Sequence, residues 1–401
     1  MSYLSSKILR GTLLAAAAMA TLFRYAVSWD SPQIDLVGYW QVATALLHGE
    51  LPYAGASAWI VAAPTLLPVY GPFARLPLAS ARHLFFCGNV LCALALSALL
   101  VRSARDALGK PPAWDIAAAL GLWLLNSSPV MENLRNGQCS LLIALGLQLS
   151  LGGALPWRGL GLALAMALKP TFGLFGVEVF ALRRWGVCAV AVGAFALAAL
   201  LPALFGCDLR ETYSAFLQAI AISRQKGGVN SAWANGCDMI SLDFLSWPPL
   251  RHAVQGLLAL SAFGAMAADF RARRPPRFDT LFLVATVSLC VVYHRLYDAS
   301  VALPFLALAT LSAFRARQPR RAAAGALLCA YYLWPIMQML RASEWLGGHA
   351  LSVPFLIAIS PWARHGFDHL FPLGGCATLL LALYAAELRF RGGPIPALPE
   401  P

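Results

Sequence analysis

The sequence contains few charged residues. Only 12% of its 401 residues are charged and 59% are hydrophobic, whereas in a soluble domain about one quarter of the residues carry charge. A chain of this composition has too few polar groups to cover a surface that faces water. Uncharged runs such as Leu13 to Ala20, Val187 to Leu204 and Leu379 to Ala386 recur along it, and apolar helices of about 20 residues cross a bilayer. The sequence therefore predicts an all-α polytopic membrane protein.

Several other features are absent. The nine cysteines contain no CxxC pair and no His/Cys spacing that suits zinc, and the acidic residues form no DxD motif. We therefore predict no bound metal and no cofactor. Cys207 and Cys237 share one polar loop, which leaves a disulfide between them open. Because the chain shows no internal repeat and no low-complexity linker, we treat residues 1–401 as one membrane domain.

Twelve apolar segments predict the membrane-spanning helices. They are residues 8–28, 83–101, 113–127, 139–154, 159–169, 171–182, 186–206, 252–270, 280–296, 299–314, 322–340 and 371–388. The first resembles a signal peptide, but it contains Arg24 and lacks a small-residue cleavage site, so we expect it to be retained.

The formal charge of +12 would suggest a nucleic-acid partner in a soluble protein. Here the basic residues stand in short clusters between apolar segments, which membrane topology explains better, so no nucleic acid is expected. The seven clusters are Lys7/Arg10, Arg102/Arg105/Lys110, Arg158, Arg183/Arg184, Arg271/Arg273/Arg274/Arg277, Arg315/Arg317/Arg320/Arg321 and Arg389/Arg391. The positive-inside rule predicts that all of them, and both termini, are cytoplasmic.

This orientation restricts the segments between clusters, because each must then hold an even number of crossings. Only 24 residues separate Arg158 from Arg183, so two short helices must turn at Lys169-Pro170, with Lys169 near the outer face. The same reasoning places residues 126–138 and 293–298 at outer turns.

The remaining outer segments are 29–82, 207–251 and 341–370. We expect residues 60–80, which contain four prolines, to lie on the outer leaflet as an interfacial helix, and residues 350–370 to form a re-entrant or surface element. After Asp35, apolar residues recur at helical spacing, which predicts an amphipathic helix. By pattern alone, Asp35 is either its cap or a functional carboxylate.

Four short motifs resemble glycosyltransferase family 87. They are Asp35, the stretch Gly49 to Tyr53, Asn136-Gly137-Gln138 and Ala167-Leu168-Lys169-Pro170, and the likeness continues more loosely through residues 293–298, over about half of the chain. The resemblance implies a GT-C type fold and an inverting transfer from a polyprenyl-phosphate sugar, such as mannose or arabinofuranose, to a glycolipid or glycan outside the cytoplasm.

The resemblance also implies roles for individual residues. Asp35 matches the general base of the family, which takes the proton of the attacking hydroxyl, and Asp30 is the fallback. The leaving phosphate needs cationic stabilisation, for which Lys169, Arg135, His294 and Arg295 are available. Lys169 is the foremost of them, although it could instead snorkel to the interface.

Further polar residues have two open interpretations. Asn136 and Gln138 could hydrogen-bond sugar hydroxyls or satisfy backbone groups where a helix starts. Tyr297 belongs with these substrate-binding candidates. Asp298, like Glu132, could orient a cation rather than contact substrate, and His294 could be a structural histidine.

Two other functions remain open. Twelve spans with short, broken helices also fit a secondary transporter or lipid flippase, and an inactive relative could act as a scaffold. A transporter would show a pseudo-repeat and polar residues deep in its spans, whereas here the polar groups gather at one face. Asp35 and Lys169 together favour the enzyme. The short loops favour a bacterial inner membrane.

Overall fold

The computed structural model of the chain describes residues 3–53, 62–151, 154–181, 183–225, 242, 245, 247–272, 278–291, 296–333 and 373–391. Every regular element in these ranges is helical, which confirms the all-α class. The predicted outer loop 341–370 and the cysteine at position 237 lie outside the described residues.

The first part of the chain forms helices α1 to α9. Their bounds are α1 Tyr3–Trp29, α2 Ile34–Leu47, α3 Leu67–Ala74, α4 Leu78–Leu108, α5 Trp114–Asn126, α6 Ser128–Asn136, α7 Ser140–Leu151, α8 Leu155–Leu168 and α9 Leu174–Ala181. Short 3-10 turns at Pro64–Leu66 and Pro170–Gly173 precede α3 and α9.

The second part forms α10 to α16. These helices are α10 Trp185–Leu200, α11 Leu209–Gln225, α12 Pro248–Ala272, α13 Phe278–Val291, α14 Leu303–Arg315, α15 Pro319–Leu333 and α16 Leu373–Arg391. Further 3-10 turns lie at Leu201–Phe205 and Leu296–Val301. Each of the twelve predicted apolar segments coincides with one or more of these helices.

Four of the described helices are long and apolar enough to cross a membrane: Leu9–Trp29, Leu78–Arg105, Trp185–Phe205 and Pro248–Ala272. The other apolar helices have 10–17 residues, fewer than the roughly 20 that a bilayer requires. Twelve crossings therefore remain a prediction. Leu197, Leu204 and Leu257 are 72%, 79% and 68% exposed, so these helices present bare apolar surface, as lipid contact requires.

Helices α13 and α14 form the centre of the bundle, where nearly every side chain is buried. Phe282 and Phe305 stack with ring centroids 6.2 Å apart, and Phe278 packs against Phe305 at 5.2 Å. These aromatic contacts join the two central helices.

Glycines set the packing of α7, α8 and α10. A Cβ on Gly146 would lie 2.7 Å from the carbonyl oxygen of Gly161, and Gly159 is in tight contact with Val190. Small residues permit such close approach of apolar helices. Because Gly186 contacts Leu155 while Gly159 contacts Val190, α8 and α10 run parallel, so the chain reverses between them, as the predicted turn at Lys169-Pro170 requires.

Residues 64–74 differ from the interfacial helix predicted over 60–80. The side chains of Thr65, Leu66, Leu67 and Tyr70 are at most 3% exposed, which is less than a helix resting on a membrane surface would show. The segment packs on α2 and α4, and the Thr65 hydroxyl donates to the Ala167 carbonyl at 2.6 Å. The prolines produce a short, bent element that fits between helices.

Helix α11 lies inside the predicted outer loop 207–251. The Asp208 side chain accepts a hydrogen bond of 2.8 Å from the backbone N–H of Glu211, so it caps the helix that starts at Leu209. Aspartate followed three residues later by glutamate is a capping-box pattern, and it was the available sequence signal for this helix.

Candidate active site

Asp35 lies in the first turn of α2, and its side chain is partly buried. The N-cap residue of α2 is Gln33, so the alternative that Asp35 is the cap does not hold. Asp35 Oδ2 instead accepts a hydrogen bond of 2.7 Å from Gln138 Nε2. The fallback residue Asp30 is exposed in the turn after α1.

Backbone geometry brings Asp35 and Gln138 together. Gly137 ends α6 in the left-handed conformation with φ +66°, and a Cβ there would lie 2.6 Å from the Cβ of Leu36. Only glycine meets both conditions without strain. Gln33 is also left-handed, with φ 45°, an uncommon conformation for a residue with a side chain, and Gln33 Nε2 donates to the Arg82 carbonyl at 3.2 Å.

The amide of Gln138 is held in a fixed orientation. The Tyr39 hydroxyl donates to Gln138 Oε1 at 3.0 Å, and the Asn89 side chain donates to the Gln138 carbonyl at 2.9 Å. Burial, together with the nearby Cys139 and Asp35, raises the pKa of Tyr39 well above its usual value, so this phenol stays a neutral donor. The Gln138 N–H group therefore points to Asp35.

Lys169 stands at the break between α8 and the 3-10 turn Pro170–Gly173. Its backbone is extended, with φ −143° and ψ 97°, because a proline disfavours the helical conformation of the residue before it. Its ammonium group forms an ion pair of 2.5 Å with Asp298 Oδ1. The Lys169 side chain is 19% exposed and that of Asp298 is 1% exposed.

Asp298 comes from the 3-10 turn Leu296–Val301 and is buried by α6 and α7. Besides Lys169, the Ser140 hydroxyl donates to the same carboxylate oxygen at 2.5 Å. A buried carboxylate needs such partners, because an uncompensated charge there is costly.

Residues 138–140 connect the two centres. Gln138 binds Asp35, and Ser140, two residues later, binds the Asp298 that pairs with Lys169. The Asn133 side chain accepts a 3.1 Å hydrogen bond from the Ser140 N–H, which fixes this short connection. The structure thus gathers a carboxylate and a cation at one end of the bundle.

A second charged group lies on α6. Glu132 is buried, Asn136 donates to its Oε2 at 3.1 Å, and Arg135 lies 3.6 Å from its Oε1. Arg24 of α1 interacts electrostatically with Glu132 and Arg135 and donates to the Asn126 carbonyl at 2.9 Å.

Three of the residues predicted for the site have side chains outside the described part of the structure. His294 and Arg295 lie outside the described residues, and Tyr297 is described only through its backbone in the 3-10 turn. Their predicted roles stay predictions. Within the described ranges, no three His, Cys, Asp or Glu side chains are grouped to hold a metal ion.

Sequence reasoning missed Tyr39, Ser140 and Arg24. For Arg24 a signal existed, because a charge inside an apolar helix is unusual enough to indicate function or a buried partner. Tyr39 and Ser140 act through partners 99 and 158 residues away, and no local pattern indicates such pairs.

The opposite end of the bundle carries basic residues from three of the predicted clusters. Four contacts there join different helices: Arg10 with Asp115 at 2.9 Å, Arg389 with Asp269 at 2.8 Å, Arg321 with Glu387 at 3.3 Å, and Arg315 with the Ala107 carbonyl at 3.2 Å. Helix α14 runs from one end of the bundle to the other, because it starts just after the turn that holds Asp298 and ends at Arg315.

The fold and this site define a helical membrane protein in which a carboxylate and a lysine are linked through residues 138–140 at one end. The family model of glycosyltransferase family 87 matches residues 61–293, more than half of the chain. The chain therefore belongs to glycosyltransferase family 87, and its activity is that of a glycosyltransferase. The matched range contains Arg135, Gln138 and Lys169 but begins after Asp35. Neither the curated proteins nor the solved structures contain a match.

Proposed function

We propose that the chain transfers one sugar, mannose-like in type, from a polyprenyl-phosphate donor to a glycolipid or glycan acceptor on the outer side of a bacterial inner membrane. The observation that carries the proposal is the arrangement of Asp35 and Lys169 around residues 138–140. A transferase that uses a lipid phosphate as leaving group needs both a base and a cation, and this end of the bundle supplies them.

Asp35 is proposed as the general base. In an inverting transfer, the acceptor hydroxyl attacks the anomeric carbon as the bond from that carbon to the phosphate oxygen breaks, and the hydroxyl proton passes to the carboxylate. Gln138 occupies Oδ2 of Asp35 at 2.7 Å and so fixes the direction of the carboxylate. The polyprenyl phosphate leaves with the bonding electrons.

Lys169 is proposed to stabilise the charge that develops on the leaving phosphate. An ammonium group has three donors, and Asp298 takes one of them at 2.5 Å. Asp298 and Ser140 thus position the lysine, whose side chain is partly exposed and so accessible to a phosphate. Arg135, His294 and Arg295 are proposed as additional cations, and Asn136, Gln138 and Tyr297 as groups that contact the substrates.

The placement of the basic clusters supports the proposed orientation. Among the described residues, Arg10, Arg315, Arg321 and Arg389 lie at the end of the bundle opposite Lys169, and clustered arginine and lysine favour the cytoplasmic side. The site then faces away from the cytoplasm, where a lipid-linked donor can reach it within the bilayer.

Asp35→Asn is the direct test. Asparagine keeps the size of the side chain and can accept the hydrogen bond from Gln138, but it cannot take a proton. We expect the transfer rate to fall by roughly 10² to 10⁴, the usual contribution of a general base, with donor affinity and thermal stability little changed. Thin-layer analysis of lipid products made from labelled polyprenyl-phosphate sugars measures the rate.

Asp30→Asn is the matched control, because Asp30 is an exposed aspartate five residues away, and it should keep the wild-type rate. If Asp35→Asn were active and Asp30→Asn inactive, the base would be Asp30. Normal rates in both variants would remove this mechanism.

A further inference from the structure

A groove of about 560 Å³ lies between residues 51–53 and helix α11, outside the site described above. Its volume falls in the range of small-molecule binding sites. Its α11 side carries Asp208, Arg210, Glu211, Ser214 and Gln218 together with two alanines, and its other side is formed by Leu51 and Tyr53.

The groove opens at the same end of the bundle as Lys169. One of its walls is anchored by Tyr53, whose hydroxyl donates to the Ala62 carbonyl at 2.5 Å. Three residues further on, Thr65 donates to the carbonyl of Ala167, two residues before Lys169. A short segment of chain therefore joins this wall of the groove to the lysine turn.

The other wall is held against the end of α2. The Cys207 thiol donates to the Leu46 carbonyl at 3.4 Å, and the ring of Phe216 packs on Tyr53 at 5.8 Å between centroids. Helix α2 thus carries Asp35 at its start and the groove beyond its end, a span of about 21 Å at 1.5 Å per residue. A ligand of a few linked units reaches from one to the other.

The chemistry of the lining selects among ligands. Asp208 and Glu211 are acceptors, Arg210 is a donor, and Gln218 and Ser214 can be either. Such mixed groups match the hydroxyls of a sugar. With two carboxylates and one guanidinium, the lining carries a net negative charge, which disfavours a phosphate.

We propose that this groove is the subsite for the saccharide part of the acceptor, and that it holds a neutral sugar unit while a hydroxyl further along the same molecule lies at Asp35. This inference rests on the proposed function, because it assumes that the protein has an acceptor. It adds the substrate class that α11 recognises.

Transfer kinetics in phosphatidylcholine nanodiscs, which are free of glycoside detergent, test the proposal with octyl mannosides of one to five sugar units as acceptors. Glu211→Gln removes one carboxylate but retains a residue suited to the capping box, and Gln218→Ala removes one amide. We expect each variant to raise the KM for the longer acceptors by roughly three- to thirtyfold, because Glu211→Gln replaces a charge-assisted hydrogen bond with a weaker neutral one and Gln218→Ala removes a hydrogen bond. The kcat and the KM for the donor should stay unchanged.

Leu217→Gln is the control, because Leu217 is an exposed residue of the same helix that does not line the groove, and its acceptor KM should equal that of the wild type. An unchanged acceptor KM in both groove variants overturns the subsite, and so does a rise in the donor KM instead.

Labelling with a diazirine-bearing octyl pentamannoside separates this inference from the proposed function. If the wild-type protein transfers no sugar but residues 208–219 are labelled, the transferase proposal fails and the saccharide site stands. Transfer without labelling of these residues removes the site alone.

Discussion

The ion pair between Lys169 and Asp298 affects both the stability of the fold and the proposed binding of the donor. Asp298 is almost wholly buried, and Lys169 is its charge partner at 2.5 Å. Removing one member of a buried pair leaves an uncompensated charge, which costs about 3–5 kcal/mol. A single substitution at Lys169 would therefore confuse loss of stability with loss of donor binding.

A double variant separates the two effects. We expect Lys169→Met to lower thermal stability and to weaken binding of the polyprenyl-phosphate donor. Adding Asp298→Asn removes the orphaned charge, so stability should recover while donor binding stays weak. Thermal unfolding and binding of labelled donor, measured on both variants, provide the comparison. Recovery of donor affinity in the double variant would show that Lys169 supports the fold without contacting phosphate.

At this scale the sequence indicated single residues better than their partners. The Lys169-Pro170 dipeptide predicted a helix break, and the break is there because of local backbone sterics. The partner of Lys169 lies 129 residues away, and the pairing depends on how the helices pack. The amide of Gln138 likewise contacts Asp35, through a contact that only the folded chain creates.

Among the elements, the contact between α7 and α8 controls the site. Ser140 is the first residue of α7, and Lys169 follows the last residue of α8. Both side chains contact the carboxylate of Asp298. The two helices approach each other closely at Gly146 and Gly161. Anything that separates the helices there also displaces Ser140 relative to Lys169.

Gly146→Ala tests this dependence. The added methyl group would lie 2.7 Å from the Gly161 carbonyl oxygen, so the helices must move apart, which costs about 1–3 kcal/mol. We expect a lower Tm and a lower transfer rate. Gly193→Ala in α10 is the control, because nothing lies within 4 Å of that site, and it should gain about 0.5–1 kcal/mol from helix propensity. A stable, fully active Gly146→Ala variant would contradict the role of this crossing.

The sequence predicted the elements unevenly, for physical reasons. Long apolar runs such as the one in α4 are detected because hydropathy depends only on composition. Helix α11 was missed because its helical pattern is amphipathic and lies in a polar loop. The segment 64–74 was placed on a surface because its prolines and apolar residues fit an interface, whereas its burial depends on the helices around it.

At the scale of the whole molecule, the pattern of charge in the sequence predicts that the basic residues and the candidate site lie at opposite ends of the bundle. Each basic cluster is short and local, so its position along the chain can be read from sequence. That Arg315, Arg321 and Arg389 reach one end together is a property of the packed helices.

The proposed orientation makes a prediction for the whole chain. With the basic end in the cytoplasm, residues 207–251 lie outside and the cluster around Arg274 lies inside.

Alkaline phosphatase folds only where its disulfides can form, outside the cytoplasm, whereas green fluorescent protein serves as the cytoplasmic reporter. A phosphatase fusion at Asn230 should therefore be active and one at Arg274 inactive, and the fluorescent fusions should give the reverse pattern. Only one crossing, α12, lies between these fusion points among the described helices, so the pair tests both the orientation and the parity of the spans. Activity of the phosphatase at Arg274 together with its inactivity at Asn230 would place Lys169 and Asp35 on the cytoplasmic side and remove the proposed outer site, whereas equal activity at both points would contradict the span between them.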